Sequence, residues 1–567
     1  MNLLGISHLH CANPAAALMV DGELIAFAEE ERFVRERYAP SFFPASAIKF
    51  CLEEASITEQ DIDFVAVGFE RSDQVLGHRI ESNNFSTFPS ARVNEDGSPK
   101  KDEEAFLYYC KFSRSEASND YLLQKYIGQH LGISADKILW YSHHLSHAAS
   151  SCIPSSFDSC NFMSLDGDGG AFSGLLGFYS GKSFDIYDSL GLNESLGAYY
   201  SAVTTTLGFR RHGGEGKTMG LASYGSVDKS CFPLFSTTNK VGNTNVDALR
   251  YNKWSSDRGF LPNEEKQNIL DSKYTNVAAT CQHYFEEIVI GYARKLHEKT
   301  GDKNFAVAGG SFLNCTANGK LLEQDFVDNL FVQPASNDSG SALGAAILAC
   351  KDVYGEFPNI NFSTAYWGSS FNTSEIFSEL LRDSTITYEM INPASKIAEL
   401  LQENKVIGYM AGKAEVGPRA LCHRSILANP TIKENLDRVN KIKGREFWRP
   451  LAPTMPEERL HDIVDIKHPS PFMLIAAQVK EEWKQKIPAV VHVDNSCRPQ
   501  SVNTKQNPVI HEALLNFEKL SGAPVFLNTS FNLDGEPIVD SPADALRTFL
   551  KSELDALIIE NFLIKRR

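Results

Sequence analysis

The chain has no Cys-x-x-Cys pair. Its eleven cysteines stand singly and in odd number, which suggests neither a zinc ribbon nor a disulfide framework. Long apolar runs are missing too: the longest, Ala342–Cys350, is far short of a membrane span, and the opening MNLLGISHLH has no basic stretch leading into an apolar one. A reduced, cytoplasmic enzyme is the expectation. Positive charge is scarce, with 55 Lys and Arg against 71 Asp and Glu, a net charge of −16. That balance argues against a protein whose main task is gripping nucleic-acid phosphates or an anionic membrane. Local basic clusters on such a surface still allow a small anionic substrate.

What is present is ordinary for a globular chain: 567 residues, 43% hydrophobic and 22% charged. The length suggests about two to four domains. The first forty residues read as strand, strand, Asp21-Gly22 turn, strand, and an Asp-Gly pair between apolar runs predicts a hairpin. The pattern returns from 162 to 186, with a turn at Gly181-Lys182. Two such units predict an internally duplicated nucleotide-binding α/β fold; two unrelated hairpins are the plainer alternative. A long amphipathic helix is predicted from 275 to Gly301, then a buried strand at 304–310 and a glycine-bearing crossing, GGSFLNCTANGK. Lys351 to Ser370 reads as a linker to a smaller α/β unit. The polar stretch around Asn83 to Glu104 reads as a surface insertion. Tyr108, Tyr109 and Phe112 beyond it either pack or shape an acceptor pocket.

Several constellations could carry chemistry. His143 and His147 are four residues apart, so on a helix both imidazoles leave one face. A carboxylate from Leu165-Asp166-Gly167-Asp168-Gly169 could join them in a divalent-metal site. The small neighbours Ala148, Ala149 and Ser150 let that helix approach another backbone. Asp338 precedes a small, apolar helix start; it either caps that helix or supplies a further ligand. Arg211-His212-Gly213-Gly214-Glu215-Gly216-Lys217 is glycine-rich and carries a lysine. It suits a phosphate cradle without being a Walker A sequence, and a surface turn is the bland reading. Downstream, GKAEVGPRALCHRSIL holds Arg419 and Arg424, KIKGREFWRPLAP holds Lys441, Lys443, Arg445 and Arg449, and Arg498 follows. Arginines among turn residues and aromatics suit a phosphate or carboxylate pocket.

Ten strings in order carry a resemblance over nearly the whole chain, among them VDGELIAFAEEERF, HHLSHAAS, LDGDG, GGEGKTMGLASYG, PASNDSGSALGAA, AEVGPRALCHRSILA, KGREFWRPLAP and LNTSFNLDGEPIV. Together they resemble the O-carbamoyltransferase family that modifies antibiotics, nodulation factors and related natural products. The resemblance implies a duplicated actin/sugar-kinase/Hsp70-type carbamoyl-transfer domain over 1–355 and a YrdC-like domain over 366–567. In the second, carbamoyl phosphate and ATP with magnesium give carbamoyladenylate, and pyrophosphate leaves. In the first, a metal, Fe(2+) or another divalent ion, assists transfer to a substrate hydroxyl. The residues matching the family's metal set are His143, His147, Asp166 and Asp338. Lys443-Gly-Arg445 and Ser530-Phe-Asn532 match the run that holds the nucleotide and carbonyl species.

By the same resemblance Lys443, Arg445 and Arg498 are catalytic. Arg37, Gly214, Glu215, Lys217, Gly310, Asn314, Asn318, Arg419, Arg424, Arg449, Asn528, Ser530 and Asn532 bind substrate or nucleotide. One departure stands out: Ala12 occupies the place of the family's transfer-assisting histidine, so His10, or else His8, in the same loop becomes the candidate. The implied partner is a small hydroxylated metabolite, with no nucleic acid and no membrane, and a homodimer is an open assembly. Two alternatives are carbamoylation or threonylcarbamoylation of a macromolecule and a non-catalytic nucleotide-binding regulator. The net negative charge disfavours tRNA as the macromolecule.

Overall fold

The computed structural model describes residues 1–9, 11–40, 42–71, 120–228 and 268–567. His10, the 83–104 insertion, Tyr108, Tyr109 and Phe112 lie outside the described residues. The chain forms two compact units, Met1–Glu30 with Pro40–Asn361, and Glu31–Ala39 with Phe362–Arg567.

The first unit is mixed α/β and duplicated. β1 (Asn2–Ile6), β2 (Ala15–Val20) and β3 (Glu23–Glu29) form an antiparallel meander, and β4 (Phe64–Val67) and β5 (Ile138–Trp140) add to β1 in parallel, giving the order β3-β2-β1-β4-β5. The β2–β3 turn is the expected one: Asp21 and Gly22 both take positive φ, 50° and 83°. The second sheet repeats the plan with β6 (Cys160–Gly169), β7 (Phe172–Tyr179), β8 (Phe184–Leu190), β9 (Asn304–Ala308) and β10 (Asn329–Val332) in the order β8-β7-β6-β9-β10. Its β6–β7 and β7–β8 pairs are antiparallel and its β6–β9 and β9–β10 pairs parallel, strand for strand as in the first. The repeat is the internal duplication expected from the two hairpin units, and its strand order is that of the actin/sugar-kinase/Hsp70-type fold implied by the family resemblance.

Small residues let two helices approach closely. α3 (His143–Cys152) carries the HHLSHAASSC run, and α8 (Ser339–Tyr354) is wholly buried from Ser339 to Cys350. A Cβ on Gly344 would lie 1.7 Å from Ser146 O, and one on Gly5 would lie 2.0 Å from Ala342 O. α8 therefore packs against both α3 and β1 only because glycine stands at those positions. The long helix α6 (Ser272–Thr300) starts three residues before its predicted position, capped by Asp271, and ends at Gly301 with φ 74°.

The second unit is built on an eight-stranded mixed sheet. Its strands are β11 (Ile386–Met390), β12 (Ile407–Met410), β13 (Arg424–Ala428), β14 (Ala452–Pro456), β18 (Gln500–Val502), β19 (Phe526–Ser530), β20 (Ala556–Ile559) and β21 (Phe562–Arg566), ordered β11-β21-β20-β12-β13-β19-β14-β18. A separate small sheet of β15 (Val464–Asp465), β16 (Ala477–Val479) and β17 (Ser496–Cys497) is formed by the chain between β14 and β18. Apolar clusters cover the large sheet: one around Ile426, Leu527, Phe531 and Phe549, another around Ile407, Leu514, Phe517 and Ile558.

Candidate metal centre and anion pocket

Ser142 caps α3 by accepting the Leu145 N–H, and helical spacing then sends His143 and His147 off one buried face. Asp166 comes from β6, where the pairing with β7 is irregular between Leu165 and Gly169, freeing this stretch from the ladder. Asp338 stands at the head of α8. It does not cap that helix: its backbone is itself helical (φ −56°, ψ −22°), and its Oδ2 instead accepts the Ala12 N–H at 2.8 Å.

One donor atom from each of His143, His147, Asp166 and Asp338 lies within 4.8 Å of every other. The two Nε2 atoms are 3.2 Å apart. His147 Nε2 is 3.5 Å from Asp166 Oδ2, and His143 Nε2 is 4.0 Å from Asp166 Oδ2 and 3.8 Å from Asp338 Oδ1. Two ligands of one ion, each about 2.1 Å from it, stand about 3–3.5 Å apart, so the donor set fits a divalent ion. The tautomer fits as well. His143 Nδ1 faces Gly68 O at 3.2 Å, and a carbonyl can only accept, so neutral His143 turns its Nε2 lone pair inward.

The electrostatics point the same way. Burial and the Asp166 charge push Asp338 up to about 7. Burial works to raise Asp166 as well, but the two imidazoles hold it well below the usual carboxylate range. Burial also works to lower His143, yet Asp166, Cys11 and Asp338 outweigh it and raise the imidazole; His147 is lowered by burial and by His143. Two carboxylates crowded into one buried pocket are relieved by a cation.

Residues around the cluster hold it in place. The Gly167 and Gly310 N–H groups donate to Asp166 at 2.7 and 3.0 Å. A Cβ on Gly169 would lie 2.3 Å from His143 Cδ2. Glu70, which the sequence did not single out, accepts the His143 N–H at 3.3 Å, and burial raises its carboxyl. His144 faces away, toward Ser164 Oγ and Phe172 O, and burial drops it to about 3. Asp168 is exposed and outside the set. His8 is fully buried, 3.2 Å from Asp120 Oδ1 and stacked on Phe69, so that it is built into the packing.

The other first-unit candidates fall into a glycine loop and a helix start. Glu215 opens α5 (Glu215–Ala222), and its carboxylate accepts the His212 and Gly213 N–H groups and the Ser201 hydroxyl. It thus closes the loop that holds Gly214, and Lys217, in the first turn of α5, places its Nζ 5.6 Å over the Phe209 ring. Asn314 caps α7 (Cys315–Leu322) and exchanges amide hydrogen bonds with Gln282 at 3.0 and 2.9 Å. Asn318 is fully buried and donates to Phe312 O. A polar network absent from the sequence expectations runs on from here: Tyr200 donates to Gln282, and Gln282 donates to Glu286, whose carboxyl burial raises to about 7. The i, i+4 spacing of Gln282 and Glu286 was its one legible signal.

In the second unit Lys443, at 2% exposure, donates to Ser530 O, to Ser530 Oγ at 3.2 Å, and to Asn532 O and Oδ1 at 2.8 and 2.9 Å. Arg445 donates to Thr529 Oγ1 at 3.2 Å. Burial, then Arg445, Arg449 and Arg37, lower Lys443 strongly; burial, then Arg449 and Arg498, do the same to Arg445. Arg498 Nε is buried without a hydrogen-bond partner among the described residues. Arg37, Lys443, Arg445, Arg449 and Arg498 therefore form a cationic pocket, with Glu446 and Asp534 as acidic neighbours. Arg419 is half-buried in the Gly417–Ala420 turn.

Two residues depart from the binding role expected of them. Arg424 is completely buried and donates to five backbone carbonyls, those of Ser369, Ala411, Gly412, His423 and Asp540. Its fork is consumed inside the fold and braces the sheet. Asn528 is likewise buried, its amide donating to Ala420 O, Thr454 Oγ1 and Gln500 Oε1.

Residues 2–347 match the family model for the carbamoyltransferase N-terminus and residues 398–566 the model for the carbamoyltransferase C-terminus. An uncharacterised protein of Synechocystis, sll1178, is 32% identical over all of this chain and 97% of its own length. Nodulation protein NolNO of Sinorhizobium fredii is 32% identical over all of this chain and 81% of its own, and nodulation protein NolO of Bradyrhizobium diazoefficiens 35% identical over 75% and 79%. Among solved structures, component A of (R)-2-hydroxyglutaryl-CoA dehydratase from Acidaminococcus fermentans is 15% identical with a TM-score of 0.33, covering 62% of this chain and 99% of that one.

Proposed function

Because this chain belongs to the carbamoyltransferase family, we propose that it is an ATP-dependent O-carbamoyltransferase acting on a hydroxyl of a small metabolite, with activation in the second unit and transfer in the first. The observation that carries the reading is the division of charge: a two-imidazole, two-carboxylate cluster in one unit and a buried cationic pocket in the other.

In the second unit Lys443, Arg445, Arg449 and Arg498 bind the phosphates of magnesium-ATP and carbamoyl phosphate. Carbamoyl phosphate loses phosphate to water, the carbamate oxygen attacks the α-phosphorus of ATP, and pyrophosphate leaves, giving carbamoyladenylate. The guanidinium groups stabilise charge that builds on the leaving group. In the first unit the acceptor hydroxyl attacks the carbamoyl carbon, AMP leaves, and the hydroxyl proton passes to a base, for which His10 is the candidate. A divalent ion held by His143, His147, Asp166 and Asp338, iron or another, would supply a Lewis acid for the carbamoyl oxygen. Gly68 O, Glu70 and the Gly167 and Gly310 N–H groups keep those side chains aimed.

The experiment is a pyrophosphate-release assay with each substrate omitted in turn, followed by an intact-mass screen of hydroxylated metabolites for carbamoyl addition. Release is expected only with both ATP and carbamoyl phosphate. Release with ATP alone would defeat the reading.

A further inference from the structure

Residues 31–39 pack with the second unit, although their chain neighbours on both sides belong to the first. The segment is bent in an unusual way. Arg35, Tyr38 and Ala39 take left-handed φ values of 59°, 67° and 36°, each costing about 1–2 kcal/mol for a residue with a side chain. Such a run persists only where contacts over-determine it. Here the contacts are specific: Arg32 Nη2 donates to Gly417 O at 2.8 Å, and Arg35 donates to Ile538 O at 2.7 Å and Pro537 O at 3.0 Å. Arg35 Nε also lies 3.4 Å from Asp544 Oδ1, and Glu31 accepts the Tyr38 N–H, closing the segment on itself.

One clamped loop runs on from the anion pocket, and the other carries Arg419. Gly417 leads directly into Arg419. Pro537 and Ile538 follow the turn in which Asn532 donates to Glu536 O at 2.8 Å, and the same Asn532 accepts from Lys443. The charge of Arg37, two residues past Arg35, is felt at Lys443, Arg445 and Arg449. We propose that Arg32 and Arg35 are positioning residues: they lock the 31–39 strap across the Gly417 and Pro537–Ile538 loops and deliver Arg37 to the pocket that binds the pyrophosphate part of the nucleotide. This rests on the activation reading above. It means that the activating unit is incomplete if taken to begin at Phe362. The Arg35 fork spans two successive carbonyls, a geometry an ammonium cannot reproduce.

The test is calorimetric titration of the full-length chain with inorganic pyrophosphate, for wild type, Arg37→Gln and Arg35→Lys, with melting curves on each. Arg37→Gln is expected to weaken pyrophosphate binding about tenfold and flatten its salt dependence at an unchanged melting temperature, since Arg37 is only half-buried and, among the described residues, its guanidinium rests on the neighbouring Tyr38 ring rather than on a backbone carbonyl. Arg35→Lys is expected to weaken it comparably although the charge is kept, and to raise the KM for ATP more than it lowers kcat. Wild-type affinity in Arg37→Gln overturns the strap's place in the pocket, whatever Arg35→Lys does. Wild-type affinity in Arg35→Lys overturns the positioning role. A wild-type chain that itself fails to bind pyrophosphate overturns the activation reading, and the strap's role with it.

Discussion

The Ala12 backbone N–H donates to Asp338 Oδ2 at 2.8 Å, tying the N-terminal loop to a carboxylate 326 positions along the chain. The bond leaves Oδ1 to face His143 Nε2, at 3.8 Å.

Asp338→Asn keeps an acceptor for Ala12 and removes the charge. Its expected effect is a loss of divalent-ion affinity of about 100-fold or more, read by titrating Co(II) and following its absorption. Because burial and Asp166 already hold Asp338 at about 7, the metal-free variant should melt no lower than wild type. A lower melting point in the absence of metal would mean that the carboxylate serves the fold.

His147→Ala separates the two half-reactions. His147 lies in the first unit and touches the cluster, while the cationic pocket is built by the second. Carbamoylated product should fall about 100-fold or more, with pyrophosphate release within a few-fold of wild type. Equal loss of both would refute the assignment of the steps to separate units.

Glu286 gives a pH-dependent prediction. Burial raises its carboxyl from the ordinary 4.5 to about 7, so the ionised form is disfavoured in the folded state. Unfolded chain releases this proton near 4.5. The stability penalty is therefore absent below that pH, grows between about 4.5 and 7, and is full above. Glu286→Gln retains the acceptor for Gln282 and removes the penalty, worth about 1–3 kcal/mol. The variant should gain about 2–6 °C over wild type at pH 8 and little at pH 4.5. A gain of the same size at both pH values would show that ionisation is not its cause.

Legibility from sequence tracked the range of the interaction. The Asp21-Gly22 turn was readable because two adjacent positive φ values are a local property. The His143–His147 pair was readable because helical spacing alone puts both on one face. Asp338 was ambiguous between cap and ligand, since that depends on its own φ and ψ and on Ala12, far away in the chain. The 31–39 strap was invisible: its arginines have no periodicity, and their partners at 417 and 537–538 are set by tertiary packing alone. Gln282 and Glu286 were hidden in an amphipathic pattern that reads as a solvated face.

Arg424 and Arg498 looked alike in the sequence, each an arginine among turn residues, and the structure separates them. Arg424, the first residue of β13, is completely enclosed and spends its donors on five carbonyls. Removing the guanidinium strands those buried acceptors, at about 3–5 kcal/mol. Arg498 is half-buried, lies near Arg445, and has a buried Nε with no partner among the described residues. Arg424→Met should lower the urea midpoint of the second unit and lose pyrophosphate release through unfolding. Arg498→Gln removes a charge that repels Arg445, so its melting temperature should hold or rise while pyrophosphate affinity drops about tenfold. If Arg424→Met melts like wild type and Arg498→Gln unfolds the second unit, the two roles have been assigned the wrong way round.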